Sequence, residues 1–487
     1  AASGYARISR KAAVCVTSSG PGATNLITAL ATAYADSIPL IAITGQVNSN
    51  LLGRDVFQEA DMRGSTESFV KYSYLVKSAD DIPRIFKEAF YIASTGRKGP
   101  VLIDIPCDVQ IDLLKKSFDY TSEVNIRGYK PSTKGNNPQM HKVVAAINKA
   151  KKPLICAGGG VILGNGEECV RQFCEKNNIP LVTTMMGIGV MPKNHPLYFG
   201  MLGNNGKPYA NRAVANSDLL IIAGARIADR AVPKPENLEQ QVNIIHIDID
   251  TAEIGKNLGP TIPLVGDIKS IFDRLLQENI SIDTTNWIET LQDIKKSTVD
   301  HRVFSDKLVN PMLLVQHLSE KMDDDAIYVA DVGQNQLWSA DNYVMKNGRF
   351  LTSGGMGTMG YSIPAAMGAK TAAMDKQVIA VCGDGSFQMS MMELATIKQH
   401  HIPVKIIVLK NNYLGMVREY QHYTYKDHYS VVDLSGSPDL EKLSAAYDIP
   451  YLRLNNMEHV DEILDAFLAE DNTMLLECLI DPMDLVK

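Results

Sequence analysis

Gly383-Asp384-Gly385-Ser386, followed by Asn411-Asn412-Tyr413, gathers one carboxylate, amide oxygens and small residues in the last third of the chain. A β-rich run ends at Gly383 and another at Asn411, so in a parallel sheet both polar side chains emerge at the same carboxyl edge. A carboxylate, an amide oxygen and a backbone carbonyl are hard oxygen ligands. So sparse a set suits Mg²⁺, which keeps water and takes its remaining ligands from phosphate. The glycines let a diphosphate approach the backbone, and a helix opening at Ser386 favours its negative charge. Taken alone, Gly-Asp-Gly reads equally well as a plain turn; the Asn-Asn pair in the matching position tips the balance.

The elements that must position these residues alternate between short β-rich runs and longer helical stretches, the pattern of parallel sheets with crossover helices. Expected strands are Ala13–Thr17, Leu40–Ile43, Val101–Ile105, Pro153–Ala157, Leu219–Ala223, Ile244–Asp248, Ala326–Val329, Gln377–Val381 and Lys405–Leu409. Polar stretches at 115–137 and 279–310 read as linkers, the second partly helical. They divide the chain into domains at 1–118, 138–280 and 308–487, in line with a prior of about three domains for this length. The fold class expected is α/β, with three doubly wound parallel-sheet domains. The first and third segments share an order of glycine-rich turn, helix and strand, which hints at two related folds.

Composition narrows the function classes. Apolar residues are 45% and charged residues 21%, as in ordinary globular proteins. The 48 Lys+Arg and 55 Asp+Glu are mixed along the chain, giving net charge -7 and no basic stripe for nucleic acid. No apolar run approaches the roughly 20 residues of a membrane span, and no secretion signal opens the chain. Seven scattered cysteines without a CxxC read as thiols of a reducing compartment, so a cytoplasmic enzyme is expected. The chain opens at Ala1-Ala2-Ser3-Gly4-Tyr5-Ala6-Arg7, which reads as mid-helix and suggests that an N-terminal piece of the first domain is absent.

A Gly-Asp-Gly turn with a downstream Asn-Asn resembles the signature of thiamine-diphosphate enzymes. Further segments resemble the acetohydroxyacid synthase (acetolactate synthase) large catalytic subunits over essentially the whole length. They are Thr17-Ser18-Ser19-Gly20-Pro21-Gly22-Ala23-Thr24-Asn25, Thr44-Gly45-Gln46-Val47, Phe57-Gln58-Glu59-Ala60-Asp61 and the run Gly96 to Pro106. Gly200-Met201-Leu202-Gly203, Gly224 to Arg230, Gly354 to Tyr361 and Gly415-Met416-Val417-Arg418 complete the set.

The resemblance implies a pyrimidine-binding, a central FAD-binding and a diphosphate-binding domain. It implies Asp384 and Asn411 as side-chain Mg²⁺ ligands, with the Tyr413 carbonyl as a third. Gly20, Pro21, Gly22, Asn25, Gln46, Gly357, Met359, Gly383, Gly385, Ser386, Gly415 and Met416 join them as coenzyme contacts. Met359 would prop the coenzyme in a V shape so that its own 4′-imino group takes the C2 proton; the plainer reading is a methionine filling a core gap. In the family, a glutamate activates the pyrimidine from a position that would precede residue 1 here, and its omission from this sequence is the expected explanation. Arg230 is nominated to hold the second substrate's carboxylate, against a surface ion pair as the plain alternative. Gln46, Gln58 and Lys71 are candidates to line the active site, though Lys71 reads nearly as well as a solvated lysine.

For FAD, which serves no redox step in the family's main reaction, the resemblance implies Arg97, Gly158, Gly159, Met201, Gly203, Gly224, Arg226, Asp248 and Asp267. The sequence departs from the family at Tyr420, where biosynthetic members usually carry Trp, and at Ile227-Ala228-Asp229 and Asn204-Asn205-Gly206 near the flavin. The first departure puts acceptor preference in question and the second puts flavin affinity in question. The implied activity condenses two 2-keto acids: pyruvate with pyruvate to 2-acetolactate, or with 2-oxobutyrate to 2-aceto-2-hydroxybutyrate, the first common step of branched-chain amino-acid biosynthesis. The implied partners are the keto acids, a second copy in a homodimer or dimer of dimers with interfacial active sites, and a small regulatory subunit. Pyruvate oxidase, glyoxylate carboligase, sulfoacetaldehyde acetyltransferase and a catalytically silent paralogue stand as alternatives.

Overall fold

The computed structural model describes residues 1–232, 234–235, 238, 241–259 and 261–486. It contains three parallel sheets. The first consists of β1 (Ala13–Thr17), β2 (Leu40–Gln46), β3 (Tyr72–Leu75) and β4 (Val101–Pro106), in the order β1-β2-β4-β3. In the second, β5 (Pro153–Ala157), β6 (Leu181–Thr183), β7 (Tyr198–Met201), β8 (Leu219–Ala223), β9 (Asn243–Asp248) and β10 (Ile262–Val265) lie in the order β10-β9-β8-β5-β6-β7. The third holds β11 (Ile327–Ala330), β12 (Arg349–Leu351), β13 (Val378–Gly383), β14 (Lys405–Lys410), β15 (Tyr451–Leu454) and β16 (Met474–Leu479), in the order β12-β11-β13-β14-β16-β15. The run β13-β14-β16-β15 repeats the order of β1-β2-β4-β3. Gly383-Asp384 after β13 therefore stands where Ser18-Ser19-Gly20 stands after β1.

The inner strands are apolar without alternation because both faces of a parallel sheet are covered. In the second sheet, Ile155, Ile221 and Ile245 pack on one side with Val143, Ile147, Phe173 and Phe272. Leu154, Leu220 and Ile244 pack on the other with Ala210, Ala213, Trp287 and Leu291. In the third sheet, Tyr328, Ile379, Val381 and Ile407 join Leu314, Leu318, Trp338 and Phe467. Strand β1, at the edge of the first sheet, leaves Val14 and Val16 exposed.

The chain forms two compact units: residues 1–131 with 353–358 and 371–373, holding the first sheet, and the remainder, holding the second and third. Residues 112–136 contain neither helix nor strand, and the stretch 279–310 contains the helix Thr285–Ser297. Among the described residues no helix is long and apolar enough to cross a membrane. All seven cysteines are free thiols, five of them buried.

Candidate active site

In the third sheet the chain runs from β11 outward to β12 and then returns to β13 on the other side. The carboxyl ends of β11 and β13 thus flank a topological switch point, where open α/β sheets bind ligands. Three polar turns converge there. Asp331 to Gln334 follows β11, Gly383-Asp384 ends β13, and Asn411 follows β14, whose Leu409 pairs with Gly383.

Asp384 opens the helix Asp384–Ser390 and is 4% exposed. One carboxylate oxygen accepts from the Asn412 N–H at 2.7 Å and the other from the Gly385 N–H at 3.0 Å. None of the ion pairs among the described residues involves it, and burial pushes its carboxyl up to about 6 despite these backbone bonds. A buried carboxylate tied only to neutral donors fits a divalent cation, which would supply the missing charge. Asn411 is also buried; its Oδ1 accepts from Tyr413 N at 3.0 Å and its Nδ2 donates to Gln334 Oε1 at 3.4 Å. Among the described residues no three His, Cys, Asp or Glu group as metal ligands, so a site here would rest on one carboxylate with neutral oxygens.

The surrounding residues are set by backbone needs. Ser386 Oγ donates to Gly383 O and accepts from Gly383 N, both at 3.1 Å, so its hydroxyl braces the turn. The Met359 methyl lies 3.7 Å from where a Cβ on Gly385 would stand, which places this methionine over the Gly-Asp-Gly turn. What holds it there is Asp331, fully buried, whose carboxylate accepts from Gly360 N at 2.9 Å and Ser362 N at 2.7 Å. Sequence reasoning passed over Asp331, Gln334 and Asn335. The signal was present, since β11 is followed by the turn Asp331-Val332-Gly333, which opens into a helix. Met416 packs half-buried on the third-sheet core, whereas Tyr420, one turn along the helix Gly415–Tyr425, is 58% exposed.

Within the first unit, Gly20 sits at φ +61°, and a Cβ on it would lie 2.9 Å from that of Gln58, so the Ser-Gly-Pro-Gly and Phe-Gln-Glu-Ala-Asp segments adjoin. Pro21 and Asn25 are exposed beside them, at the helix Pro21–Thr24. Gly22 has Ser18 Oγ close enough to exclude a Cβ. In the loop 353–358 of the same unit, Gly357 has φ +69° and open space around its Cα, and Gly355 N donates to Asp36 at 2.7 Å.

Two of the expected lining residues have hydrogen-bond partners of their own. Gln46 is buried; its Nε2 donates to Ala60 O at 2.7 Å and to Asp104 at 3.0 Å, and its Oε1 accepts from Val47 N. It ties the loop at Ala60 to the sheet. Lys71 points its ammonium at the carboxyl end of the helix Ile82–Ser94, donating to the carbonyls of Ile92 and Thr95 and to the Tyr129 hydroxyl. A helix end presents unpaired carbonyls and partial negative charge, which a lysine satisfies. Lys71→Met is expected to cost about 2–3 kcal/mol, because carbonyls and a hydroxyl lose a charged donor. Urea denaturation checks this, and a loss well under ~1 kcal/mol would return Lys71 to the lining set.

In the second sheet β5 and β8 flank another switch point. Gly158 and Gly224 face each other there so closely that a Cβ on Gly158 would lie 2.3 Å from Gly224 O. Gly159 opens the helix Gly159–Leu163, and Arg226 follows β8. Asp267 caps the helix Ile268–Leu275 by accepting from Ser270 N at 3.0 Å, and Asp248 accepts from Asp250 N at 2.9 Å. Gly203, at φ +116°, packs on the Arg230 carbonyl, and Met201 is buried just before it. The Arg230 side chain is itself 80% exposed, 3.8 Å from Asp229. Ile227, just before them in the chain, is buried at φ +48°, a strained conformation for a β-branched residue. Arg97, in the first unit, donates from Nε to Ser37 Oγ at 3.0 Å.

Comparison with known proteins fits this geometry. Residues 331–478 match the family described as thiamine pyrophosphate enzyme, C-terminal TPP binding domain; 140–275 match its central domain and 1–65 its N-terminal TPP binding domain. A probable acetolactate synthase large subunit of Methanocaldococcus jannaschii is 43% identical over 99% of this chain and 84% of its own length. The chain belongs to the acetolactate synthase large-subunit family of thiamine-diphosphate enzymes. The acetolactate synthase large subunit of Lactococcus lactis is 40% identical over 100% of the chain and 84% of its own length. That of Corynebacterium glutamicum is 42% identical over 94% and 75%. Both family matches that bind the coenzyme cover the turns described above: Gly20 in the first and Asp384 in the last.

Proposed function

We propose that this protein is an acetolactate synthase. It releases CO₂ from pyruvate and transfers the two-carbon unit to a second pyruvate, giving 2-acetolactate, or to 2-oxobutyrate, giving 2-aceto-2-hydroxybutyrate. The observation that carries the reading is Asp384, a buried carboxylate without an ion pair at the β11/β13 switch point, in a chain similar to acetolactate synthases along its whole length.

Asp384, Asn411 and the Tyr413 carbonyl would hold Mg²⁺, with Gly383, Gly385, Ser386, Gly415 and Met416 around the diphosphate. Thiamine diphosphate, when bound, supplies the carbanion that attacks the keto acid. Met359, which lies over Gly385, would shape that coenzyme, and the open backbone at Gly357 would be available to its pyrimidine. Gly20, Pro21, Gly22, Asn25, Gln46 and Gln58 form the pyrimidine side, contributed in a homodimer or dimer of dimers by the other copy. Arg230, free to reach a ligand because it is exposed, would pair its guanidinium with the acceptor carboxylate. FAD would occupy the β5/β8 switch point, with Gly159 at a helix start and Arg226 nearby, in a role without electron transfer. Gly158 and Gly224 serve that site by letting the two turns close together. A small regulatory subunit fits the large-subunit names of the relatives.

The test is to give the purified protein pyruvate, Mg²⁺ and thiamine diphosphate, with and without FAD, and to assay acetolactate after acid conversion to acetoin. No acetoin under any of these conditions would defeat the proposal. Tyr420 is exposed on the helix after the metal-site turn and carries a hydroxyl that wants a partner. Tyr420→Trp is expected to raise the ratio of 2-aceto-2-hydroxybutyrate to acetolactate when pyruvate and 2-oxobutyrate compete. An unchanged ratio would remove Tyr420 from acceptor selection.

A further inference from the structure

We infer that Glu419 is a positioning residue for the cation site: acting through Gln334, its carboxylate joins the Tyr413 N–H in fixing which end of the Asn411 amide faces the metal. This rests on the reading of Asp384 and Asn411 as metal ligands.

A side-chain amide has a donor end and an acceptor end of nearly the same shape, so its orientation is set by its partners. Glu419, in the helix Gly415–Tyr425, is 4% exposed. Its Oε2 accepts from Gln334 Nε2 at 2.8 Å and from Val486 N at 2.9 Å. An ionised carboxylate only accepts. Gln334 must therefore turn Nε2 toward Glu419, and that nitrogen's second hydrogen points to Asp484 O at 3.4 Å. Its Oε1 is thereby directed at Asn411, where it accepts from Nδ2 at 3.4 Å. Asn411 is left with Oδ1 on the opposite side, where one lone pair takes the Tyr413 N–H at 3.0 Å and the other can meet a cation.

If Gln334 were reversed, its Oε1 would face the Glu419 oxygen and its Nε2 would face the Asn411 Nδ2. Both contacts are repulsive, and both lie among side chains no more than 9% exposed. The approach of the two amides needs a glycine beside them: a Cβ on Gly415 would lie 2.0 Å from Gln334 Oε1 and 3.0 Å from Asn411 Nδ2. Gly415 is thus the residue that lets the Gln334 amide reach Asn411. Outer partners that orient metal ligands typically change affinity by about 10–100-fold when removed.

The experiment titrates Mn²⁺, a paramagnetic stand-in for Mg²⁺, into the full chain saturated with thiamine diphosphate and follows water proton relaxation. Glu419→Met removes the stronger hold on Gln334, leaving that amide with Asp484 O alone and Asn411 with the Tyr413 N–H alone, and is expected to weaken Mn²⁺ binding by about 10-fold or more. Gln334→Met breaks the same link from its middle, should weaken binding to the same degree, and gives the readout if Glu419→Met does not fold. Glu419→Gln can present an oxygen to both N–H groups, so binding within about threefold of wild type is expected. Val486→Pro removes the tail N–H from the carboxylate without touching either amide, and should also leave binding unchanged. Wild-type binding in both Met variants overturns the inference. So does a loss in Val486→Pro or Glu419→Gln as large as in Glu419→Met, because the tail or the charge would then be responsible. Asp384→Asn separates the failure of the underlying reading: if it binds Mn²⁺ like wild type, the metal site itself is misplaced.

Discussion

Asp384→Asn is expected to abolish the stabilisation that Mg²⁺ with thiamine diphosphate confers, while leaving the ligand-free chain about as stable as wild type. Ligands at 100 times their dissociation constant raise stability by about 2.7 kcal/mol. Loss of a direct metal ligand should exceed the ~10–100-fold that an outer partner costs. The ligand-free behaviour follows from the position of the carboxyl. Burial raises it from 3.8 to about 6, so between these values the unfolded chain has released a proton that the folded chain still holds. Stability without the metal then falls as pH rises through that window, by about 2–3 kcal/mol in total. Asparagine removes that cost but can accept from only one of the Asn412 and Gly385 N–H groups, which offsets part of the gain. Thermal unfolding with and without the ligands, at pH 5 and 7.5, measures both effects. A ligand-induced shift that persists in Asp384→Asn would remove this carboxylate from the site.

Gly158→Ala should be strongly damaging in the central domain, at about 3 kcal/mol or more. A methyl group there would meet the Gly224 carbonyl at 2.3 Å and the Ala225 Cβ at 2.6 Å, so two turns would have to separate. Gly224 cannot yield easily, because its own φ is +57° and its N–H is bound to Ile247 O at 2.9 Å. Gly159→Ala offers the comparison. Its methyl would meet only Met186, 3.0 Å from its Cβ and 3.4 Å from its carbonyl oxygen, a contact that a shift of a few tenths of an ångström relieves. The expected order is a large drop in denaturation midpoint and in bound flavin for Gly158→Ala, and small changes for Gly159→Ala. Equal effects would mean that the turn is limited by ligand contact rather than by packing.

These cases show where the sequence was readable. The nine expected strands are long apolar runs, and the structure contains all of them, with Ala326–Val329 and Gln377–Val381 displaced by a residue or two. Burial on both faces leaves a continuous apolar signal that needs no alignment to see. The remaining strands were harder: β3, β7, β10, β12 and β15 are sheet edges, β6 has three residues, and only β16 is long and internal. Most of these are only three or four residues long, too short to stand out from loops, whereas β1, also an edge, is a five-residue run with two valines.

The side-chain roles divide in the same way. Motif and spacing placed Gly383, Asp384 and Asn411 at one sheet edge, because strand ends and turn glycines are local properties. What Lys71 and Gln46 bind was not local: a helix end contributed by residues 92–95 and a carboxylate at 104 took up their donors. Asp331 and Glu419 look like any acidic residue until the fold buries them against backbone N–H groups and the Gln334 amide. The sequence alone determined the family, the α/β class and the turn that can hold a cation, since these follow from short-range pattern. Only the tertiary structure decided which polar groups already have partners, because hydrogen bonds between residues distant in the chain depend on how the sheets bring them together.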